Sequence, residues 1–270
     1  MFAVPWLSVV IPTYGARGVE LTRKCITTLK ATHAHMVPEI IVVSDGDEGE
    51  EFEALKALVV EKECGLARID RMGFAVACNV GMTLSNGALG VALVNNDIEF
   101  TENTLQILGD VSMVMNAGTV GCLLLYPDET IQHAGVVFVP VENQPIPGYF
   151  DHKLRGQNKL HVDAVVMRDS LVTGALMLVS RQYMERVGNL DERYGFSAED
   201  IDCSLRGIEA GLQSIYVGYT SAIHHEGATR GKTLEEKMKL APDIAEKESQ
   251  SLQFFFQRWV GMDWRKYMAR

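Results

Sequence analysis

Over its first 126 residues the chain switches repeatedly between two hydrophobic periods, and this alternation restricts its architecture more than any other feature. "LSVVIPTY" (7–14), "EIIVVSD" (39–45), "LARID" (66–70), "GVALVNND" (90–97) and "TVGCLLLY" (119–126) read as short strands. Several are apolar at consecutive positions, as strands buried on both faces are. Between them, Leu21, Cys25 and Leu29 make one helical stripe and "EEFEALKALVVEKE" makes another. Strand and helix in turn predict an α/β fold, a mostly parallel sheet covered by helices on both faces, with ligands taken at the carboxyl ends of the strands. Asp45 and Asp97 both fall at such ends.

The second half is less regular. Segment 140–163 holds three of the eight prolines and almost no periodicity, which predicts a long functional or mobile loop. After it, "SLVTGALMLVS" reads as a strand and "RQYMERVG" as a short helix. "SAEDIDCSLRGIEAG" reads as a helix with Ser197 as N-cap and Ile201, Leu205 and Ile208 on one face. "SIYVGYTSAIHHE" is a further strand running out into His224 and His225. The tail, 232–270, is helical in composition, and Leu252, Phe255, Phe256 and Trp259 sit at i, i+3, i+4 and i+7. This stripe is expected to lie against residues 1–231 as a C-terminal extension, a homodimer contact being the alternative use. No internal repeat or second domain is visible.

A formal charge of −10 gives no general attraction for nucleic acid or an anionic membrane, so an anionic substrate needs a local positive site or a metal. The apolar runs are far short of the roughly 20 residues that span a bilayer. The N-terminus "MFAVPWLSVVIP" lacks the basic region and cleavage site of a secretory signal. Five cysteines with no CxxC spacing argue against a disulfide framework or a structural zinc. A soluble, cytoplasmic protein is the expectation.

Three acidic positions at element ends, Asp45, Asp97 and Asp200, together with His224 and His225, form the candidate constellation. Each alone has a plain structural use. Asn95-Asn96-Asp97 and the turn "SDGDEG" suit strand ends. Asp200 suits a helix N-terminus, and Asp202 with Arg206 looks like an ordinary i, i+4 ion pair.

"VVIPTYG", "VVSDGDEG", "GFAVACNVGMTLSNGALGVALVNNDIEF", "TIQHAGVVF", "VTGALMLVSRQYMERVGNLDERYGFSAEDIDCSLRGIEAG" and "HHEGATRG" follow one another in an order that resembles the inverting family-2 glycosyltransferases of GT-A fold, over residues 7 to about 231. The resemblance implies a Rossmann-like central sheet and transfer of a single sugar from a nucleotide-diphosphate sugar to an acceptor hydroxyl. It places Pro12, Thr13, Tyr14, Asp45 and Asn96 against the nucleotide. Asn95-Asn96-Asp97 takes the place of the family's Asp-x-Asp metal motif with only its last position acidic. Asp97, with His224 at the family's late histidine, would then hold Mn2+ or Mg2+, the nitrogen ligand tilting the preference to Mn2+. Asp200 matches the general base, with Glu199 as a like charge beside it to raise its basicity. Arg230 and Lys232, in "TRGKT", are candidates to clamp the diphosphate, an ordinary solvated loop being the alternative.

Rival readings are weaker. "GATRGKT" has one residue too few between its glycines for a phosphate loop. A nucleotidyltransferase would open on a Gly-rich basic loop that "VVIPTYGARGVELTRK" imitates poorly, whereas a sugar-nucleotide-binding scaffold without turnover would keep the same residues. "QRW" at 257–259 lacks the frame of the processive membrane enzymes' Q-x-x-R-W motif.

Overall fold

Strand β1 (Ser8–Thr13) shows why the sheet lies at the centre of the molecule: Val9 and Ile11 are buried on one face and Val10 on the other, and none of the three is exposed to solvent. A computed structural model describes residues 6–36, 38–143, 146–161, 165–226 and 244–268. In chain order its elements begin with α1 (Ala16–Thr32), β2 (Glu39–Asp45), α2 (Gly49–Glu61), β3 (Gly65–Ile69), α3 (Phe74–Leu84), β4 (Gly90–Val94), β5 (Ile98–Glu99) and α4 (Thr104–Met115). They continue with β6 (Ala117–Leu125), β7 (Ile131–His133), β8 (Val136–Pro140), β9 (Gly148–His152), β10 (Val166–Arg168) and β11 (Leu176–Ser180). The last are α5 (Arg181–Arg186), α6 (Glu199–Glu209), β12 (Gln213–His224) and α7 (Ile244–Arg258).

The main sheet runs β10-β12-β6-β11-β4-β1-β2-β3. β1 is parallel to β2 and β4, β2 to β3, and β6 to β12, while β11 is inserted antiparallel between β4 and β6. The expected mostly parallel α/β architecture is therefore present. Residues of α1, α2 and α4 cover one face of the sheet, and those of α3 and α5 the other. The strand order reverses between β1 and β4, the topological switch point at which an open α/β sheet takes ligands. Among the described residues no helix is long and apolar enough to cross a membrane.

Four sequence expectations are corrected. Segment 140–163 is not a plain loop: Gly148–His152 forms β9, antiparallel to β8, and the hairpin's Phe138 and Phe150 meet Phe256 and Trp264 edge to face or stacked. In "SLVTGALMLVS" only Leu176–Ser180 is strand. The preceding amides bond elsewhere, Ser170 N–H to the Ser214 carbonyl, Leu171 N–H to the Tyr267 carbonyl and Gly174 N–H to the Asp200 carboxylate. Ser197 does not cap α6. The cap is Ala198, and both residues have left-handed φ, +70° and +66°, without a side-chain cap bond.

The fourth concerns Asp202, whose i, i+4 pair with Arg206 is present but is only part of its role. It is fully buried and anchors α7: Oδ1 accepts from the Tyr194 hydroxyl at 3.1 Å and Trp259 Nε1 at 3.0 Å, with Arg258 Nε at 2.9 Å. Its Oδ2 accepts from Arg206 Nε at 2.7 Å. Leu252, Phe255 and Trp259 are buried with Tyr194, Ile201 and Leu205, so the stripe of the tail meets its own chain. Asp202→Ala strips partners from two guanidinium groups and an indole, and is expected to lower the unfolding free energy by about 3–5 kcal/mol. Urea denaturation followed by tryptophan fluorescence checks it, and a loss under about 1 kcal/mol contradicts the anchoring role.

Candidate active site

The carboxyl ends of β1, β2 and β4 open on one side of the sheet, and β12 reaches the same place by an irregular route. β12 pairs with β6 up to Val217↔Cys122 and resumes at Ser221↔Leu123. The intervening residues bulge out, where Glu102 Oε1 accepts from Ser221 N–H at 2.7 Å and from the Thr220 hydroxyl at 3.1 Å. Such bulges re-aim a strand. The end of β12 then pairs antiparallel with β5, His224 opposite Ile98, and His225 N–H donates to the Asp97 carbonyl at 3.0 Å.

This pairing separates the two histidines. His225 Nε2 lies 2.9 Å from Glu99, which also pairs with Lys24 at 2.7 Å. His224 Nε2 lies 3.0 Å from Asp97 Oδ1, and both residues are 8% exposed. His224 Nδ1 lies 2.6 Å from Gln132 Oε1, so both ring nitrogens face acceptors. In the tautomer with its proton on Nδ1, the Nε2 lone pair points at the Asp97 carboxylate. A cation between the two satisfies both, and one carboxylate oxygen plus one imidazole nitrogen is a donor set that a divalent ion completes with substrate phosphate and water. Among the described residues there is no cluster of three or more His, Cys, Asp or Glu side chains able to hold a metal.

The neighbouring Asn96 has a structural bond: its amide donates to Thr13 Oγ1 at 3.0 Å and so ties the end of β4 to the end of β1. Pro12 and Thr13 are β1 residues, paired in register with Val43 and Ser44 of β2. Tyr14, just beyond β1, exposes 42% of its surface and carries the Arg71 guanidinium 3.5 Å above its ring. Asp45 closes β2, buried, with its carboxylate accepting from Met72 N–H at 2.7 Å, from Gly73 N–H and from Arg71. Asp47, which the sequence did not single out, accepts from Gly15 N–H at 2.6 Å and from the Ser44 hydroxyl at 2.8 Å, joining the loops after β1 and β2. Arg230 and Lys232 lie outside the described residues.

Asp200 stands at the same end of the sheet. The link is direct, since Asn95 N–H donates to the Ala175 carbonyl at 2.9 Å and Gly174 N–H donates to Asp200 Oδ2 at 2.7 Å. Asp200 Oδ1 accepts from Ile201 N–H at 2.8 Å. Gly174 permits the approach, because a Cβ there would sit 3.3 Å from Asp200 Cβ and 3.4 Å from Phe74. Burial raises the pKa of the Asp200 carboxyl above its ordinary value, against the lowering effect of the Gly174 and Ile201 amides. The sequence expected Glu199 to do this by like charge, whereas desolvation is the leading cause. Two consecutive left-handed residues that are not glycine, Ser197 and Ala198, stand immediately before, a local strain of the kind found at functional sites.

Residues the sequence reading missed are Arg71, Asp47 and Gln132. Arg71 follows the "LARID" strand and Asp47 stands in the quoted "VVSDGDEG", while Gln132 stands in the quoted "TIQHAG" with nothing to mark it as a neighbour of His224.

The family model described as Glycosyl transferase family 2 matches residues 8–167. The chain is 28% identical over 238 residues to the O-antigen biosynthesis protein RfbC of Myxococcus xanthus, covering 84% of this chain and 18% of that one. It is 28% identical over 240 residues to the uncharacterized protein y4gI of Sinorhizobium fredii, covering 86% and 26%. It therefore spans about a fifth to a quarter of the length of these relatives. A stretch of 61 residues is 36% identical to an N-acetylglucosaminyl-diphospho-decaprenol L-rhamnosyltransferase of Mycobacterium tuberculosis, 23% of this chain and 20% of that one. Among solved structures, GalNAc-T7 with UDP, GalNAc and Mn2+ superposes with a TM-score of 0.68 at 15% identity, over 97% of this chain and 49% of that one. The mannosyltransferase PcManGT from Pyrobaculum calidifontis, in complex with GDP-Man and Mn2+, gives 0.57 at 14% identity, over 98% and 83%. At such identities these two likenesses speak for the fold.

Asp200's raised pKa fixes a sign. The folded state holds the Asp200 proton more tightly than the unfolded chain, so the Asp200 contribution favours folding at low pH and is lost as pH rises through its folded pKa, above the usual carboxylate range. In Asp200→Asn this dependence is absent. The melting temperature of the variant relative to the parent is expected to rise between pH 4 and pH 8, measured by differential scanning calorimetry. A difference that stays flat, or moves in the parent's favour, contradicts the burial argument.

Proposed function

The chain belongs to glycosyl transferase family 2, and from that membership and the strand-end site described above we propose that it transfers a single sugar from a nucleotide-diphosphate sugar to an acceptor hydroxyl with inversion at the sugar carbon. The observation that carries the reading is the pairing of one carboxylate with an imidazole at the end of β4, Asp97 with His224, and a second carboxylate of raised pKa, Asp200, held by the backbone next to that strand end. Two charges have to be managed in such a transfer, one building on the leaving diphosphate and one on the acceptor oxygen as it loses its proton. Separate carboxylates suit the two tasks.

Asp97 and His224 would hold Mn2+ or Mg2+, which when bound neutralises charge on the leaving diphosphate. Tyr14, with its exposed ring, and Asp45, with Arg71 beside it, form the wall against which the nucleoside would lie. In this reading Arg71 swings off the Tyr14 ring when a base stacks there, and Asn96 acts by fixing the ends of β1 and β4 rather than by touching the nucleotide. Asp200 takes the acceptor proton. Burial that penalises its charged form makes it a stronger base than an exposed aspartate, and the Gly174 and Ile201 amides fix both of its oxygens in place. Residues 1–231 act as the catalytic domain and 232–270 as its extension, of which α7 braces the hairpin and α6 rather than forming a dimer contact, since its stripe is buried against them. The acceptor is proposed only as a hydroxyl compound, a glycan or lipid-linked sugar among the candidates.

Two variants test the assignment against a panel of nucleotide sugars. Asp200→Asn is expected to keep donor affinity while lowering transfer by roughly two to four orders of magnitude. Asp97→Ala is expected to lose Mn2+-dependent nucleotide binding, measured calorimetrically, with Asn95→Ala milder. Turnover in Asp200→Asn comparable to the parent refutes the base assignment, and a parent that turns over no donor refutes the enzyme reading.

A further inference from the structure

Both ring nitrogens of His224 face acceptors, and the contacts are unequal: Gln132 Oε1 is 2.6 Å from Nδ1, whereas Nε2 has Asp97 Oδ1 at 3.0 Å and the Asn95 amide nitrogen at 3.4 Å. Left to itself, a neutral imidazole beside a carboxylate donates its single proton to the charged acceptor, which would put it on Nε2 and block that nitrogen as a ligand. Something has to hold the proton on the other nitrogen. Gln132 is placed to do so provided that its amide oxygen, and not its NH2 group, faces the ring.

The surroundings of Gln132 decide the orientation of its amide. Its Nε2 has two acceptors within 3.4 Å, the His224 carbonyl and Glu226 Oε2, so turning the amide over would set the oxygen against both. Glu226 is itself fixed: Oε2 accepts from the Tyr126 hydroxyl at 2.8 Å, and Arg155 Nη2 donates to Oε1 at 2.9 Å and Oε2 at 2.8 Å. Arg155 is held in turn, Nε donating to the Tyr126 oxygen at 2.9 Å and Nη1 to Asp151 at 3.3 Å. Gln132 is 2% exposed, out of reach of bulk water that could supply substitute partners.

We propose that Gln132 is a positioning residue: its amide oxygen, oriented by the Arg155–Glu226–Tyr126 cluster, holds the His224 proton on Nδ1 and thereby presents Nε2 to a divalent cation beside Asp97. The proposal deepens the metal reading given above and rests on it. It also gives the hairpin a role in the site, since Arg155 and Asp151 belong to β9 and the turn after it, so the hairpin's docking on α7 and Trp264 bears on how firmly His224 is held. Outer partners of this kind commonly alter metal affinity by roughly ten- to a hundredfold.

The test reads the His224 ring directly. Long-range 1H–15N spectra of the metal-free protein at pH 8.5 are expected to show a protonated Nδ1 in the parent. In Gln132→Leu the proton is expected to move to Nε2, and Mn2+ affinity, read by electron paramagnetic resonance of free Mn2+, to fall by roughly ten- to a hundredfold. A parent whose Nδ1 carries no proton overturns the proposal whether or not the variant folds. So does a folded Gln132→Leu with parent-like ring shifts and Mn2+ affinity. Mn2+ that leaves the His224 resonances of the parent unbroadened instead removes the metal reading, and with it the purpose assigned to Gln132.

Discussion

The antiparallel pairing of two residues of β5 with the end of β12 is the constraint on which the site depends. β12 runs parallel to β6 on both sides of its bulge, and its last residues also pair with β5. The bulge between Val217 and Ser221, bonded by Glu102, shifts the strand's register so that His224 stands opposite Ile98 and its ring meets Asp97. From that contact outward one hydrogen-bond partner follows another. Asp97 and His224 face the cleft, Gln132 lies behind His224, and Glu226 with Arg155 and Tyr126 lies behind Gln132. Because a buried polar group must find partners, each member commits the next to one orientation.

Asp200 and Asp202 show the same helix serving two ends with one sequence motif. Two residues apart on α6, their side chains point in different directions, one to the strand end at Gly174 and the other into the contact with α7. Asp202 is satisfied by Tyr194, Arg206, Trp259 and Arg258, and this anchoring holds the start of α6 in place. Asp200 has only neutral donors, the Gly174 and Ile201 amides and the Thr173 side chain, and its burial leaves the charged form poorly stabilised, so its basicity rises. Stability and reactivity are thus divided between neighbouring carboxylates by what each one faces.

Much of this was legible in the sequence because strand ends are local events. The apolar runs ending at Asp45 and Val94, and the strand that ends at His224, are bounded by their own residues, and the α/β architecture followed from their alternation with helical stripes. What escaped was non-local or conformational. Asp202 looks like half of an i, i+4 pair until Trp259, 57 positions away, is brought beside it. Ser197 has the right side chain for a cap and the wrong backbone, since the left-handed pair at 197–198 takes its hydroxyl away from the helix amides. The hairpin β8–β9 has little alternation of its own and is held by aromatic rings from α7 and from Trp264. Gln132 is one uncharged residue in "TIQHAG", and only the fold says what it touches.

The claim at the centre of this account is that Asp97 and His224 together form a cation site open to a nucleoside diphosphate. Crystals of the protein grown with UDP or GDP and MnCl2, with diffraction data collected on the low-energy side of the manganese edge and just above it, examine that claim without any assumption about sugar or acceptor. The account predicts an anomalous peak, present only above the edge, within coordination distance of both Asp97 Oδ1 and His224 Nε2 and of the diphosphate oxygens, with His224 Nδ1 still on Gln132 Oε1. A manganese peak that touches neither side chain, or a nucleotide seated in the cleft with the Asp97–His224 contact unchanged and no metal beside it, would contradict it.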